Sequence, residues 1–261
     1  MQSPDSIAKI NARFYDKIAE VYDTIDRRRA LQKEWPWLDA VLSEYSAKLR
    51  MEKNEPLVFV DAGAGSGLLS ERARHFFDDL ILVDISQAML DRIQIPGVQK
   101  RVGDCGKLPC DAESVDFIGA FATLHHLHSP ELFFKESHRV LRPGGYLFTD
   151  HDIEKHFVRT FSPLLKMYRH FFDHGHDYLA ACKDLTQEDY LLTEYHGDNG
   201  LDADALSQQL ESIGFELKVK KFHWEGMGTP AKLVAATGMK SMLSRRYFGP
   251  VFRLVAQKRF P

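Results

Sequence analysis

The stretch VFVDAGAGSGLLSERA, Val58 to Ala73, decides the fold. An apolar run ends in a carboxylate, glycines follow at 63, 65 and 67, and an amphipathic segment begins at once. Each ordered glycine costs about 0.5–1 kcal/mol relative to alanine. Three of them within five residues mark a corner that needs bare backbone, where a plain turn would need one. Strand, glycine corner and helix in that order open an α/β unit. In open parallel sheets ligands bind at such corners, beyond the carboxyl ends of the strands.

The rest of the chain extends this unit. LILVD (80–84), VQKRV (98–102), VDFIGAF (115–121) and YLFTD (146–150) read as further strands after LVFVD (57–61), apolar enough to be buried on both faces. Helical segments lie between them. Ser86 can cap QAMLDRI. Ser129 with Pro130 can open a helix running to about Leu141, stopped by Pro143-Gly144-Gly145. Upstream, Tyr15, Ile18, Val21, Tyr22 and Ile25, then Leu38, Val41, Leu42, Tyr45 and Leu49, recur at helical spacing. The rhythm breaks over 151–200, which shows no clear strand. A helix over 202–215 and strands over 215–224 and 250–260 close the chain. The last strand carries polar residues near its end, as an edge-region strand would. The expected fold is a doubly wound α/β sheet of seven strands with right-handed crossovers and an insertion after the fifth strand.

Bulk properties narrow the function. The 261 residues are 44% hydrophobic and 27% charged, with a net charge of −3, so nothing pulls the whole molecule toward nucleic acid or a membrane. The clusters Arg27-Arg28-Arg29 and Arg245-Arg246 are short and read as solvated. Cys105, Cys110 and Cys182 form neither a disulfide framework nor a zinc pattern. The first residues lack a signal-peptide core, and no apolar run has membrane-spanning length. The expectation is a cytoplasmic protein of unknown oligomeric state.

Three acids follow three strands. Asp61 precedes the glycines, Asp84 ends the second strand, and Asp104 follows the third. In the dinucleotide fingerprint G-x-G-x-x-G the third glycine would fall on Leu68. Asp61 also sits awkwardly beside a pyrophosphate and suits a ligand with a positive amino group. Asp84 can accept from both hydroxyls of a ribose, and Asp104 from an adenine amino group. Ile85 and Met89 can sandwich a base, although core packing explains both as well.

The set VDAGAGSG, LVDIS, VGDCGKLP, SVDFIGAFATLHHL and ESHRVLRPGGYLFTD, with FYDKIAEVYD (14–23) upstream, resembles the class I S-adenosylmethionine-dependent methyltransferases. It is most similar to the broad ubiquinone/menaquinone-biosynthesis group, over residues 14–150. The resemblance implies a Rossmann-like seven-stranded sheet with the last strand antiparallel. It implies S-adenosyl-L-methionine as cofactor, with Asp61, Gly63, Gly65 and Gly67 at its methionine moiety and Asp84 at its ribose. Asp104 and the Cys105 amide would address adenine, and Phe121 would lie near the cofactor. Tyr15 and Tyr22 are lid candidates, equally explained by helix packing. On this reading 1–261 is one domain: a helical cap (1–55), a cofactor core (56–150), a substrate lid (151–200) and the rest of the sheet (201–261).

The acceptor would be a small molecule with an oxygen, nitrogen or carbon nucleophile. His125, His126 and His151, with Asp150 and Asp152, fall on the carboxyl edge and are candidates for a base. The lid aromatics Phe157, Phe161, Tyr168, Phe171, Phe172 and Tyr178 could line a pocket or form the lid's own core. HFFDHGHD (170–177) raises a metal question, answered here with no metal assigned. Alternatives are a cofactor-binding sensor without transferase chemistry and a nicotinamide-dependent oxidoreductase. No nucleic-acid or membrane partner is expected.

Overall fold

A computed structural model describes residues 4–26, 35–172, 175–236, 238 and 240–260. Seven strands form one sheet: β1 (Val58–Ala62), β2 (Asp79–Asp84), β3 (Gln99–Val102), β4 (Val115–Phe121), β5 (Leu141–Ile153), β6 (Phe215–His223) and β7 (Val251–Lys258). Their order is β3-β2-β1-β4-β5-β7-β6. β1 lies between β2 and β4, parallel to both, and β7 runs antiparallel between β5 and β6. The order reverses beside β1, so the corner at Gly63 stands at the switch point where crevices form.

The sheet is covered on both faces, because successive strand residues point to opposite sides. Val60, Ala62, Ile118 and Leu147 pack with α6 (Pro130–Val140) and α11 (Ala203–Ile213) through Phe133, Phe134, Leu206 and Leu210. Phe59, Leu82, Phe117 and Phe148 pack with α3 (Pro36–Glu52), α4 (Leu68–Ala73) and α5 (Gln87–Arg92) through Leu38, Leu42, Leu69 and Leu90. A third cluster joins α1 (Pro4–Ile18) and α2 (Tyr22–Ile25) to the region after β5, with Phe14 and Ile18 against Tyr178 and Leu185. That region carries α7 (Lys155–Thr160), α8 (Ser162–Phe172), α9 (Gly175–Ala181) and α10 (Gln187–Thr193).

The strand count agrees with the sequence; the position of the final strand does not. β7 is interior, and β6, with Lys218, Lys220 and Lys221, is the edge. The polar residues of β7 mislead because each has a local partner. Arg253 meets Asp150, Gln257 donates to the Gly144 carbonyl at 2.9 Å, and Lys258 donates to the Leu141 carbonyl at 2.8 Å. Two short helices, α12 (Thr229–Ala236) and α13 (Lys240–Leu243), between β6 and β7 gave no clear signal. The Pro143-Gly144-Gly145 stop stands inside β5, where the register with β4 shifts.

Asp116 ties four elements at the edge opposite the crevice. Its carboxylate is 2.6 Å from Lys53 Nζ and 2.9 Å from Arg142 Nη1, and accepts the Val58 N–H at 2.8 Å. It is 2% exposed, whereas both cations reach solvent. Asp116→Ala is therefore expected to cost about 2 kcal/mol, below the ~3–5 kcal/mol of a fully buried broken pair. Thermal unfolding should show a Tm lower by about 4–8 °C.

Candidate active site

The corner after β1 is held by the tip of β2. The Gly63 and Ala64 N–H groups donate to the Val83 carbonyl at 2.9 and 3.0 Å, and the Gly65 N–H donates to Asp84 Oδ2 at 2.7 Å. Asp84 Oδ1 accepts the Ser86 N–H at 2.9 Å. Three consecutive amides are thus committed within the protein. These three point at β2 and not into the space beyond the strand tips. Gly63 has φ +73°, and a Cβ there would stand 2.5 Å from Thr123 Cγ2 at the end of β4. Only glycine fits that backbone and that space.

The acids gather around this corner. Asp61, at the tip of β1, is 1% exposed and accepts the Ser70 hydroxyl. Burial pushes its pKa up to about 7, against the Ser70 hydrogen bonds and helped by the Asp84 charge. Burial also raises Asp84, against the hydrogen bonds from Ser86 and Gly65. Asp104 accepts the Gly106 N–H at 2.6 Å in the loop after β3. Beside it, burial and then the Asp104, Asp84 and Asp61 charges push the Cys105 thiol well above its usual range, so it stays a neutral, inert group.

These groups line one cleft, together with Gly63, Gly65, Ile85, Cys105 and Phe121. Its far wall comes from α1 and α2: Ile7, Asn11 and Tyr15, then Tyr22, Asp23 and, just beyond, Asp26. α1 is pinned there by Asp16, whose Oδ1 accepts the Ser86 hydroxyl at 2.6 Å and the Ala88 N–H at 3.2 Å. The enclosed space, open mouth included, is about 1220 Å³. The lining carries Asp23, Asp26, Asp61, Asp84 and Asp104, and none of its described residues is Lys or Arg.

The three candidate histidines part company. His126 lines the cleft. Its Nδ1 is 2.7 Å from the Thr193 carbonyl, which places the proton on that nitrogen, and Nε2 is 3.2 Å from the Tyr15 hydroxyl. His125 stands behind it, outside the lining, with Nδ1 2.8 Å from Asp152 Oδ1 and its N–H donating to the same oxygen. His151 is also outside the lining. Its ring stacks on Trp37 and Phe121 at 5.4 and 4.4 Å, and its Nδ1 is 2.9 Å from Asp150 Oδ1. Asp150 is consumed as well, by Arg253 Nε at 2.6 Å and His223 Nε2 at 2.9 Å. Burial alone would raise Asp150; the charges of His223 and Arg253 outweigh it and hold the carboxyl well below its usual range.

Met89 and Gly67 are likewise outside the lining, Met89 buried with its Cε 4.0 Å from the bare side of Gly65. Of the lid aromatics, Phe157 packs on Phe161 and Trp224, and Tyr178 on Phe14. These three serve the packing of the helices, not the cleft. In the 170–177 stretch Asp173 and His174 lie outside the described residues. Asn11, Asp23, Asp26, Thr123 and His128 also line the cleft, with no signal in the sequence that pointed to them. The acids on and just after α2 read as an ordinary polar helix, and their approach to residues some 40–100 positions away has no local signal.

Residues 60–149 match a family described as a methyltransferase domain. A ubiquinone biosynthesis O-methyltransferase of Parvibaculum lavamentivorans is 28% identical over 149 residues, 52% of this chain and 59% of that protein. A "probable S-adenosylmethionine-dependent methyltransferase" of Mycolicibacterium smegmatis is 28% identical over 64% of this chain and 56% of its own length. The chain thus spans little more than half of these curated relatives. Among solved structures, an S-adenosylmethionine-dependent methyltransferase from Mesorhizobium loti superposes with a TM-score of 0.57 at 19% identity, over 86% of this chain and 97% of that one. At that identity the likeness speaks for the fold.

Gly63→Ala is expected to lower Tm by several degrees, through a strained φ and the contact with Thr123. Adding Thr123→Ser, which removes the Cγ2 at 2.5 Å, should recover part of the loss in the same melting experiment.

Proposed function

We propose, for a chain that belongs to the class I S-adenosylmethionine-dependent methyltransferases, that it methylates an oxygen, nitrogen or carbon nucleophile of a small molecule held in the cleft between the β-strand tips and α1. The observation that carries this reading is the sign of the cleft: five carboxylates, no lining Lys or Arg among the described residues, and three loop amides already committed. Such a site suits a ligand bearing a sulfonium and an ammonium. It works against the pyrophosphate of a nicotinamide dinucleotide, which needs free amides or cations.

S-adenosyl-L-methionine supplies, when bound, an electrophilic methyl group. Asp61 would face its ammonium, Asp84 its sugar hydroxyls and Asp104 its adenine amino group. Phe121, Leu127 and Leu132 give the cleft apolar walls, which help keep water from a reaction that disperses positive charge. Where the acceptor must lose a proton, His126 is the base. Its Nε2 faces the cleft at the Tyr15 hydroxyl, and the Thr193 carbonyl fixes the Nδ1 proton, so the ring can take up a second one. The helices over 155–193 act in this proposal as a lid, joined to α1 through Phe14 and Tyr178.

S-adenosylhomocysteine should raise Tm and NAD should not; stabilisation by NAD alone would overturn the reading. The pH dependence has a definite sign. Asp61 has a pKa raised to about 7 in the free protein, and a cationic partner favours its ionised form. Binding therefore releases a proton below about pH 7, and affinity should rise with pH up to that point, by at most about tenfold per pH unit, then level off. Calorimetry in buffers of different ionisation enthalpy measures both effects, and Asp61→Asn should abolish them. Asp84→Asn should weaken S-adenosylhomocysteine at least about tenfold, the scale of one lost charged hydrogen bond, and lower Tm by a few degrees, because its amide nitrogen must face one of the two N–H donors that the carboxylate accepts.

A further inference from the structure

The net charge of −3 hides a segregation. Residues 155–172 and 226–250 hold eight of the chain's 34 Lys and Arg and none of its 37 Asp and Glu. The two segments leave the sheet side by side, because Ile153 pairs with Val251 and the Glu154 N–H donates to the Pro250 carbonyl at 2.9 Å. They stay together further out. Phe161 meets Phe248 at 6.1 Å, His156 meets Tyr247 at 5.5 Å, and Arg246 Nη2 is 3.1 Å from His156 Nε2. Arg246 and Lys155 turn toward Asp202 and Asp204, while Arg159, Lys166, Lys232 and Arg245 are exposed.

The same segments expose large apolar side chains. Leu164 and Met167, three apart on α8 and so on one face, are each 56% exposed, and Leu233 on α12 is 63% exposed. Tyr247, Met242 and Phe248 are exposed too. α12 has no buried residue among those described. Helices with outward apolar residues among cations and no acids have the composition of elements that lie in a bilayer interface. They stand at the carboxyl edge of the sheet, the edge that bears the cleft.

We propose that this face seats on an anionic phospholipid bilayer surface, with Leu164, Met167 and Leu233 entering the headgroup region and the surrounding cations meeting lipid phosphates. The expectation of no membrane partner weighed whole-chain charge and the lack of a spanning run, and this proposal departs from it on local charge. No helix among the described residues is long and apolar enough to cross a membrane; the contact is peripheral.

The test is vesicle co-sedimentation of the full chain with phosphatidylcholine alone and with phosphatidylglycerol at about a third of the lipid. Each is run at roughly 0.1 M and 1 M NaCl, where the screening length falls from about 10 to 3 Å. The expected result is binding to the anionic vesicles only, lost at high salt. The exposed-site variant Leu164→Glu with Leu233→Glu should bind at least about fivefold less, with Tm and S-adenosylhomocysteine affinity unchanged. Equal binding to both vesicle types, no binding, or wild-type binding by the variant would overturn the proposal. So would a dimer in ultracentrifugation that the variant dissociates without altering sedimentation with vesicles, since a second copy then covers the face. Because cofactor affinity is read separately, failure here leaves the methyltransferase reading standing, and the reverse also holds.

Discussion

The tip of β2 captures the backbone that follows β1, and most of the site depends on that capture. Val83 offers one carbonyl to two amides and Asp84 offers a carboxylate to the third. This forces Gly63 into a left-handed conformation against Thr123 and turns the corner toward α4. It also decides what the corner can recognise. A glycine loop with free amides is a cradle for phosphate. One whose amides are spent, beside Asp61, Asp84 and Asp104, offers acceptors and negative charge. The same three-glycine spacing can therefore serve opposite ligands, and the side chain on the neighbouring strand selects between them.

A second buried polar group organises the other half of the sheet. Asp150 joins β5 to β7 through Arg253 and to β6 through His223, and Arg253 continues to Glu225 at 3.1 Å and lies over Trp37 at 4.3 Å. Buried ion pairs add little net stability, since desolvation offsets attraction. Their effect here is geometric. The cluster holds the ends of β5, β6 and β7 in register and fixes His151 in an aromatic stack with Trp37 and Phe121, outside the lining of the cleft.

The central strands were legible because strands buried on both faces must be continuously apolar, whereas β3, expected to be buried, is an exposed edge strand and β6 is polar on one side; the corner was legible because glycine there has no substitute. The place of β7 was not. Its Arg253, Gln257 and Lys258 have the composition of an edge, and only their partners on β5 and the adjoining loops, more than a hundred residues away, make them interior. The acids at 61, 84 and 104 were legible as a set because parallel strands end on one side, and the structure brings all three to one cleft. Which histidine faces that cleft was illegible. His125 and His126 are neighbours in a short 3₁₀ turn (Leu124–His126), and a rotation of one residue exchanges the ring facing Tyr15 with the ring facing Asp152. The outer wall was illegible for another reason, that α1 and α2 reach the strand tips through single contacts far apart in sequence, such as Asp16 with Ser86 and Tyr15 with His126.

The charges divide the molecule in a way that whole-chain counting conceals. Among the described residues that line the cleft every formal charge is negative, whereas every formal charge in 155–172 and 226–250 is positive. Fields of opposite sign at one sheet edge do separate work, because screening confines each to about 10 Å at ordinary salt. The inner field favours a cationic ligand over a polyanion. The outer field acts on whatever approaches the lid helices. Neither field specifies the nucleophile. Between them Asn11, Tyr15 and His126 meet in the cleft wall, with the Asn11 amide 3.4 Å from the His126 carbonyl and the Tyr15 hydroxyl 3.2 Å from His126 Nε2. On the function proposed above, a change confined to this wall would alter the acceptor while leaving both fields as they are.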